Sequence, residues 1–504
     1  MEYSAILHDM DKRFCYAIDK DLFVIRVQVK KDDIKEIILH YEDKYIPLGW
    51  KDTRKTISMK KVATSQFHDY YEAQLQMHLI CLRYYFEFTD MQGEKVYYGN
   101  YEFSRECITN RDRMFDCPQN LREEEMFEVP EWAANKVVYQ IFPSRFAASQ
   151  PIDKELWYKA PITSKDNLHG DLRGIIDHLD HIQKLGIDVV YLTPIFKSDS
   201  CHKYDTTDYY QIDPSFGTTE DLKELVQKAH ECGMKVVMDA VFNHTGRNFF
   251  AFKDIQEKRQ NSPYVNWYCN VNFSGNTEYN DGFSYENWGG YNLLVKLNQR
   301  NPDVQNYICD VIRFWVSEFD IDGIRLDAAD VLDFDFMRVL RHTADEVKKD
   351  FWLMGEVIHG DYSRWVNGGT LHSVTNYALH KALYSGHNDH NYFEIAHTVK
   401  YLQNMGDLDL YNFVDNHDVE RIYTKLSNKA HFAPVHVLLY TLPGVPSIYY
   451  GSEFGIEGRK ERTSDDSLRP ALNLADYADA VEKNPCTALI AALGKVRQNT
   501  PALN

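Results

Sequence analysis

Gly323-Ile324-Arg325-Leu326-Asp327 continues an apolar run that begins at Phe319 and ends on a carboxylate. The pattern recurs: Phe351-Trp352-Leu353-Met354 leads into Gly355-Glu356-Val357, and Leu410-Tyr411-Asn412-Phe413-Val414 leads into Asn416-His417-Asp418. Runs this short and this apolar predict buried strands at Phe319–Ile324, Phe351–Met354 and Leu410–Val414, as a parallel sheet requires. A carboxylate beyond each strand brings Asp327, Glu356 and Asp418 to one rim, where acid and base groups from separate strands can meet one substrate.

Outward from these segments, short apolar runs alternate with helical periodicity. Val137–Phe142 opens the series; Leu172–Leu185 has helical spacing and leads into Val189–Leu192; Asp221–Cys232 does the same before Lys235–Met238, and Ser447–Tyr450 closes the set. The alternation predicts an α/β fold, a (β/α)8 barrel over residues 126–504. Between His244 and Leu294 it stops, in a stretch rich in Asn, Gly, Tyr and Trp. A structureless loop of that length is uncommon, so a small subdomain over 245–298, inserted after the third strand, is expected. Ahead of the barrel, Phe23–Val29, Glu36–Tyr41 and Arg83–Phe88 alternate with period two, which predicts an N-terminal antiparallel β-sandwich over 1–125. Arg105–Glu125 is charged and poorly periodic and reads as its linker to the barrel.

With 504 residues, 44% hydrophobic and 26% charged, the chain can bury a large core, and no apolar run approaches the roughly 18 residues of a membrane span. A formal charge of −19 repels phosphate polymers and anionic lipid, so neither nucleic acid nor membrane is expected as a partner. The nine cysteines are dispersed with no C-x-x-C pair, which argues against a disulfide framework or a zinc site. Residues 1–9 show no basic region followed by an apolar stretch, so a cytoplasmic location is expected.

Six short motifs follow one another: Asp239-Ala240-Val241-Phe242-Asn243-His244, Val295-Lys296-Leu297-Asn298, the segments ending on Asp327, Glu356 and Asp418, and Gly444-Val445-Pro446-Ser447-Ile448-Tyr449-Tyr450-Gly451. On these the chain, from about Val137 onward, resembles glycoside hydrolase family 13, the α-amylase family. The resemblance implies retaining hydrolysis of α-1,4-glucosidic bonds in an α-glucan, with Asp327 as nucleophile, Glu356 as general acid/base and Asp418 on the sugar hydroxyls. It implies substrate-binding roles for Tyr204, His244, Arg325, His417, Asp465 and Arg469, and an architectural one for Asp239. Arg325, two residues from Asp327 on an extended strand, is expected to lower the Asp327 pKa, and the negative cluster to raise that of Glu356.

The N-terminal segment and Val295-Lys296-Leu297-Asn298 resemble the neopullulanase, cyclomaltodextrinase and maltogenic amylase branch, whose starch-binding-type module precedes the barrel; that branch implies a homodimer through the module. Two positions depart from it. Ala328-Ala329-Asp330-Val331 replaces the usual Val-Ala-Asn-Glu, and Ile358 stands where a Trp is frequent. Both fall where the acceptor sugar is expected, so linear, cyclic and pullulan substrates, α-1,6 cleavage and transglycosylation all stay open. A non-catalytic glucan-binding relative is disfavoured because all three carboxylates are present. No cofactor or metal is expected; Ala147–Asp153 lacks the oxygen-rich side chains of the family's calcium loop. Cys486–Val496 reads as the last barrel helix, and the C-terminal β-sandwich common in the family is expected to be absent.

Overall fold

The computed structural model describes residues 1–10, 13–19, 22–44, 54–76, 82–117, 129–134, 136–157, 166, 168–406, 408–462 and 464–503. The chain divides into two units, Met1–Phe127 and Glu128–Asn504.

In the first unit, period-two alternation turns one face of each strand inward. Cys15–Asp19, Leu22–Lys30, His68–Gln76 and Lys60–Thr64 form one antiparallel sheet. Lys55–Ser58, Ile34–Asp43, Leu82–Asp90, Lys95–Gly99 and Glu102–Ser104 form another. Phe23, Ile25 and Val27 from the first share a core with Leu39, Phe86 and Phe88 from the second. Part of the expected linker belongs to this sandwich: Phe115–Asp116 pairs with Leu82–Asp90, Phe115 is buried, and Arg83 Nε donates to Asp116 at 2.5 Å. Residues 118–125 lie outside the described residues.

The second unit is a parallel barrel. Its strands are β1 (Val138–Ile141), β2 (Val189–Leu192), β3 (Lys235–Ala240), β4 (Gly323–Leu326), β5 (Trp352–Gly355), β6 (Ser373–Val374), β7 (Tyr411–Phe413) and β8 (Val445–Tyr449). They run in the order β6-β5-β4-β3-β2-β1-β8-β7, and a parallel bridge from Thr375 to Tyr411 nearly closes the ring. Val138, Val189, Val237, Met354, Phe413 and Val445 pack within it. At Gly323 a Cβ would lie 2.6 Å from the Trp352 carbonyl oxygen, so only glycine lets β4 approach β5 this closely. No described helix is long and apolar enough to cross a membrane.

Two further sequence expectations change. The run from Phe319 is not all strand: Phe319 ends the helix Pro302–Phe319, Asp320 turns left-handed at φ 56°, and β4 starts at Gly323. Phe319 is the last member of a helical stripe with Ile308, Ile312 and Trp315, all buried, so its burial comes from the helix face. Leu172–Leu185 is two helices, Leu172–Ile176 and Leu179–Lys184, broken at His178, whose ring bonds the Gly174 carbonyl at 2.8 Å. β6, two residues long, has no counterpart in the sequence reading. After β3, His244–Gly246, Tyr291–Lys296 and Asn287–Trp288 form a small antiparallel sheet beside the helix Phe250–Lys258.

Candidate active site

Register sets the floor of the site. Asp239 on β3 pairs with Arg325 on β4, so the two side chains project together. Arg325 Nη1 donates to Asp239 Oδ1 and Oδ2 at 2.9 and 3.1 Å and to Asp327 Oδ1 at 3.0 Å. Its Nη2 lies 2.8 Å from Glu356 Oε2, which also accepts the Ala328 N–H at 3.1 Å. One guanidinium therefore joins the carboxylates that follow β4 and β5. Asp239 takes further hydrogen bonds from the hydroxyls of Tyr191 at 2.7 Å and Tyr204 at 2.9 Å.

A second network rises from β1, β7 and β8. Gln140 Nε2 donates to His417 Nδ1 at 2.8 Å, which leaves the proton on His417 Nε2. That nitrogen lies 2.7 Å from the Tyr204 hydroxyl and 3.1 Å from Asp418 Oδ2. The Tyr204 and His417 rings lie parallel, 5.6 Å apart. Arg469, beyond β8, donates from Nε to the His417 carbonyl at 2.9 Å and from Nη2 to Asp418 Oδ1 at 3.0 Å. Asp465 lies 3.5 Å from Arg469 Nη2 and pairs with Lys460, whose Nζ donates to the Asp418 carbonyl at 2.8 Å. His244 Nε2 faces the Tyr204 carbonyl at 3.1 Å.

These groups meet in a cleft of about 1000 Å³ whose walls include Tyr204, His244, Asp327, Glu356, His417, Asp418, Asp465 and Arg469. Arg325, expected to bind substrate, is not on the wall: it is buried beneath it, with its donors turned to Asp239, Asp327 and Glu356. The cleft also takes in His202, Trp288, Tyr291, Lys296, Tyr377 and Lys460, which the sequence reading did not assign. His202 sits in the same His-Lys-Tyr-Asp stretch as Tyr204 and could have been found there; Trp288 and Tyr291 could have been found as aromatics in the polar insertion. Gln140, a polar residue inside the apolar run of β1, carried a signal of its own.

Protonation follows from burial and charge. Burial raises Asp327 well above the usual carboxylate range; Arg325 pulls it down, but less than burial and the Glu356, Asp239 and Asp418 charges push it up. The expected lowering by Arg325 thus exists and is outweighed. Burial also raises Glu356, with Arg325 opposing and Asp418 reinforcing. Asp418 goes the other way: burial works upward, yet His417, charged only in the acid range, together with Arg469, Arg325 and Lys460 holds it down at about 2. Burial lowers His417 and His244 to about 3, so both are neutral at physiological pH, where Arg469, Arg325 and Lys460 keep Asp418 ionised.

Residues 140–487 match the family model described as the α-amylase catalytic domain, and residues 1–119 match the α-amylase N-terminal Ig-like domain. Over 475 residues the chain is 35% identical to a cyclomaltodextrinase from a Bacillus species, covering 91% of this chain and 83% of that one. It is 35% identical over 488 residues to neopullulanase 2 of Thermoactinomyces vulgaris, covering 94% and 81%. A solved cyclomaltodextrinase structure superposes with a TM-score of 0.74 at 32% identity, over 100% of this chain and 86% of that one.

Proposed function

Since the chain belongs to the α-amylase family of glycoside hydrolases, we propose that it cleaves α-1,4-glucosidic bonds of maltodextrins, cyclodextrins or pullulan with retention of configuration. The observation that carries this reading is the Arg325 guanidinium touching both Asp327 and Glu356 on the cleft floor. Two carboxyl groups sharing one guanidinium suit the short separation, about 5–5.5 Å, of a retaining pair.

With the proton of this coupled pair on Glu356, whose charge otherwise helps raise Asp327, the ionised Asp327 attacks the anomeric carbon as Glu356 protonates the departing glycosidic oxygen. Glu356 Oε2 is taken by Arg325 and the Ala328 N–H, so the proton it gives sits on Oε1. Glu356, now ionised, then removes a proton from water, the hydroxide adds to the anomeric carbon, and Asp327 leaves as carboxylate. Asp418, held ionised, accepts hydrogen bonds from ring hydroxyls, and Tyr204, held through its hydroxyl by His417 and through its carbonyl by His244, offers its ring face. Arg469 and Asp465 bound the glycone end.

Asp327→Asn and Glu356→Gln are expected to abolish turnover of cyclodextrin, pullulan and maltotriose, the latter by roughly 10²–10⁴-fold in kcat; parental turnover in either would reject the assignment. Chromatography tests the bond: panose from pullulan supports α-1,4 cleavage, whereas cleavage of isomaltose alone points to α-1,6 action. Proton NMR should detect α-configured product first, and a β first product contradicts retention. We extend the proposal to a cytoplasmic enzyme, which the dispersed cysteines, none of them in a C-x-x-C pair, support. We also propose a homodimer through the N-terminal unit, where the exposed Tyr3 and Phe103 rings lie 4.8 Å apart with their planes tilted by 59°. Sedimentation giving only monomer at every concentration would refute the dimer.

A further inference from the structure

Two of the largest fully buried side chains, Arg145 and Arg421, take no part in the chemistry above. Arg145 follows β1, and its Nη1 donates to the Arg469 carbonyl at 2.9 Å. Arg421 lies just beyond Asp418 on the loop after β7. Its Nε donates to the Leu468 carbonyl at 3.1 Å, and its Nη1 to the Tyr450 carbonyl at 2.7 Å and to Ser452 Oγ at 3.1 Å. Two adjacent peptide carbonyls of the loop after β8 are thus held by arginines from two other barrel loops. On the far side the Tyr450 hydroxyl donates to the Pro470 carbonyl at 2.8 Å, and Trp157 Nε1 to that of Leu472 at 3.0 Å.

This is a costly way to hold a loop. A buried guanidinium is unfavourable unless its charge is paired and its donors are satisfied. Arg145 has its nearest carboxylate, Asp466, 3.7 Å away, Arg421 donates only to neutral oxygens, and Arg145 Nε and Arg421 Nη2 find no partner. An apolar side chain could fill either space without that penalty. What the arginines supply instead is direction at Leu468 and Arg469, and the Arg469 side chain is the one that grips the His417 carbonyl and Asp418 Oδ1.

We propose that Arg145 and Arg421 are positioning residues that set the Arg469 backbone so that its guanidinium meets Asp418, fixing the glycone side of the cleft without touching the sugar. The inference rests on the reading of Asp418 and Arg469 given above. Arg145→Lys and Arg421→Lys keep the charge but replace the forked donor, and each is combined with Arg469→Ala in a double-mutant cycle. The substrate is whichever of cyclodextrin or maltotriose the parent hydrolyses, assayed well below each variant's Tm. Each Lys variant should lower kcat/KM by tenfold or more, within the roughly 10²-fold reach of a misplaced binding group, with KM carrying most of the loss. In the Arg469→Ala background the same change should cost less than about twofold, because the residue it positions is gone. An equal loss in both backgrounds, parental kcat/KM, or failure of a Lys variant to fold would each overturn the proposal by making the arginine merely structural. Full activity of Arg469→Ala alone would overturn both this inference and the assigned role of Arg469, whereas loss of positioning alone leaves that role standing.

Discussion

Two sets of residues lining the cleft are built from different materials. In one, Asp418, His417, Tyr204 and Arg469 are tied to one another and to the buried Gln140 by directional hydrogen bonds. The same cleft also carries Val331, Ile358, Trp288 and Tyr291, all solvent-exposed at 38–62% of their surface. A buried polar network rejects a sugar that lacks a matching hydroxyl, because a donor or acceptor is then left unpaired; an apolar wall discriminates weakly, by contact area. On the proposed assignment, recognition should be strict for the sugar whose bond is broken and permissive for the one that leaves.

The largest effect that would sharpen this contrast is Asp418→Asn. It should lower kcat by about 10²–10³-fold with a smaller change in KM, since the charge acts where positive charge develops in the transition state; steady-state kinetics showing a change in KM alone would break the comparison. Next, Tyr204→Phe removes the hydroxyl that donates to Asp239 and meets His417. A loss of roughly 1–3 kcal/mol, about 5- to 150-fold in kcat/KM, is expected from the partners left unsatisfied. Ile358→Ala and Val331→Ala should change kcat/KM by less than about tenfold, the scale of a few methylenes. Their visible effect should be in chain-length preference and in the ratio of hydrolysis to transfer, read by chromatography. A hundredfold fall in kcat from either would mean that the apolar wall acts on the chemical step.

The smallest effect concerns pH. His244 and His417 have folded pKa values of about 3, lowered from 6.5 by burial. As pH falls from about 6.5 toward 3, the unfolded chain binds protons that these rings exclude, so stability declines through that window and levels off below it. His417→Gln should flatten the dependence of Tm on pH between 7 and 4, and Ile358→Ala should leave it unchanged. Equal slopes in parent and His417→Gln would place the acid sensitivity elsewhere, for example in His372, also lowered to about 3.

Much of the barrel could be read from the chain because its strands are short, apolar and regularly interrupted by helical periodicity. β6 could not, because two residues carry no period, and its place comes from the Met354 and Gly355 backbone beside it. Phe319 was misplaced because a helix that ends on its buried stripe and a strand that starts soon after present one continuous apolar run. In the site, Asp327, Glu356, Asp418, Asp465, His244 and His417 lie on the cleft wall, whereas Asp239 is buried beneath it. Gln140, Arg145 and Arg421 escaped because their partners lie on loops remote in sequence.

By itself the sequence determined the order of the carboxylates, their position beyond successive strands, and the two-residue spacing that puts Arg325 beside Asp327. These are local matters of period and spacing. Only the tertiary structure decided where the protons prefer to sit. Arg325 is shared with Asp239 and Glu356, and burial outweighs its pull on Asp327. Burial is the sum of everything packed around a group, and no stretch of chain carries that sum.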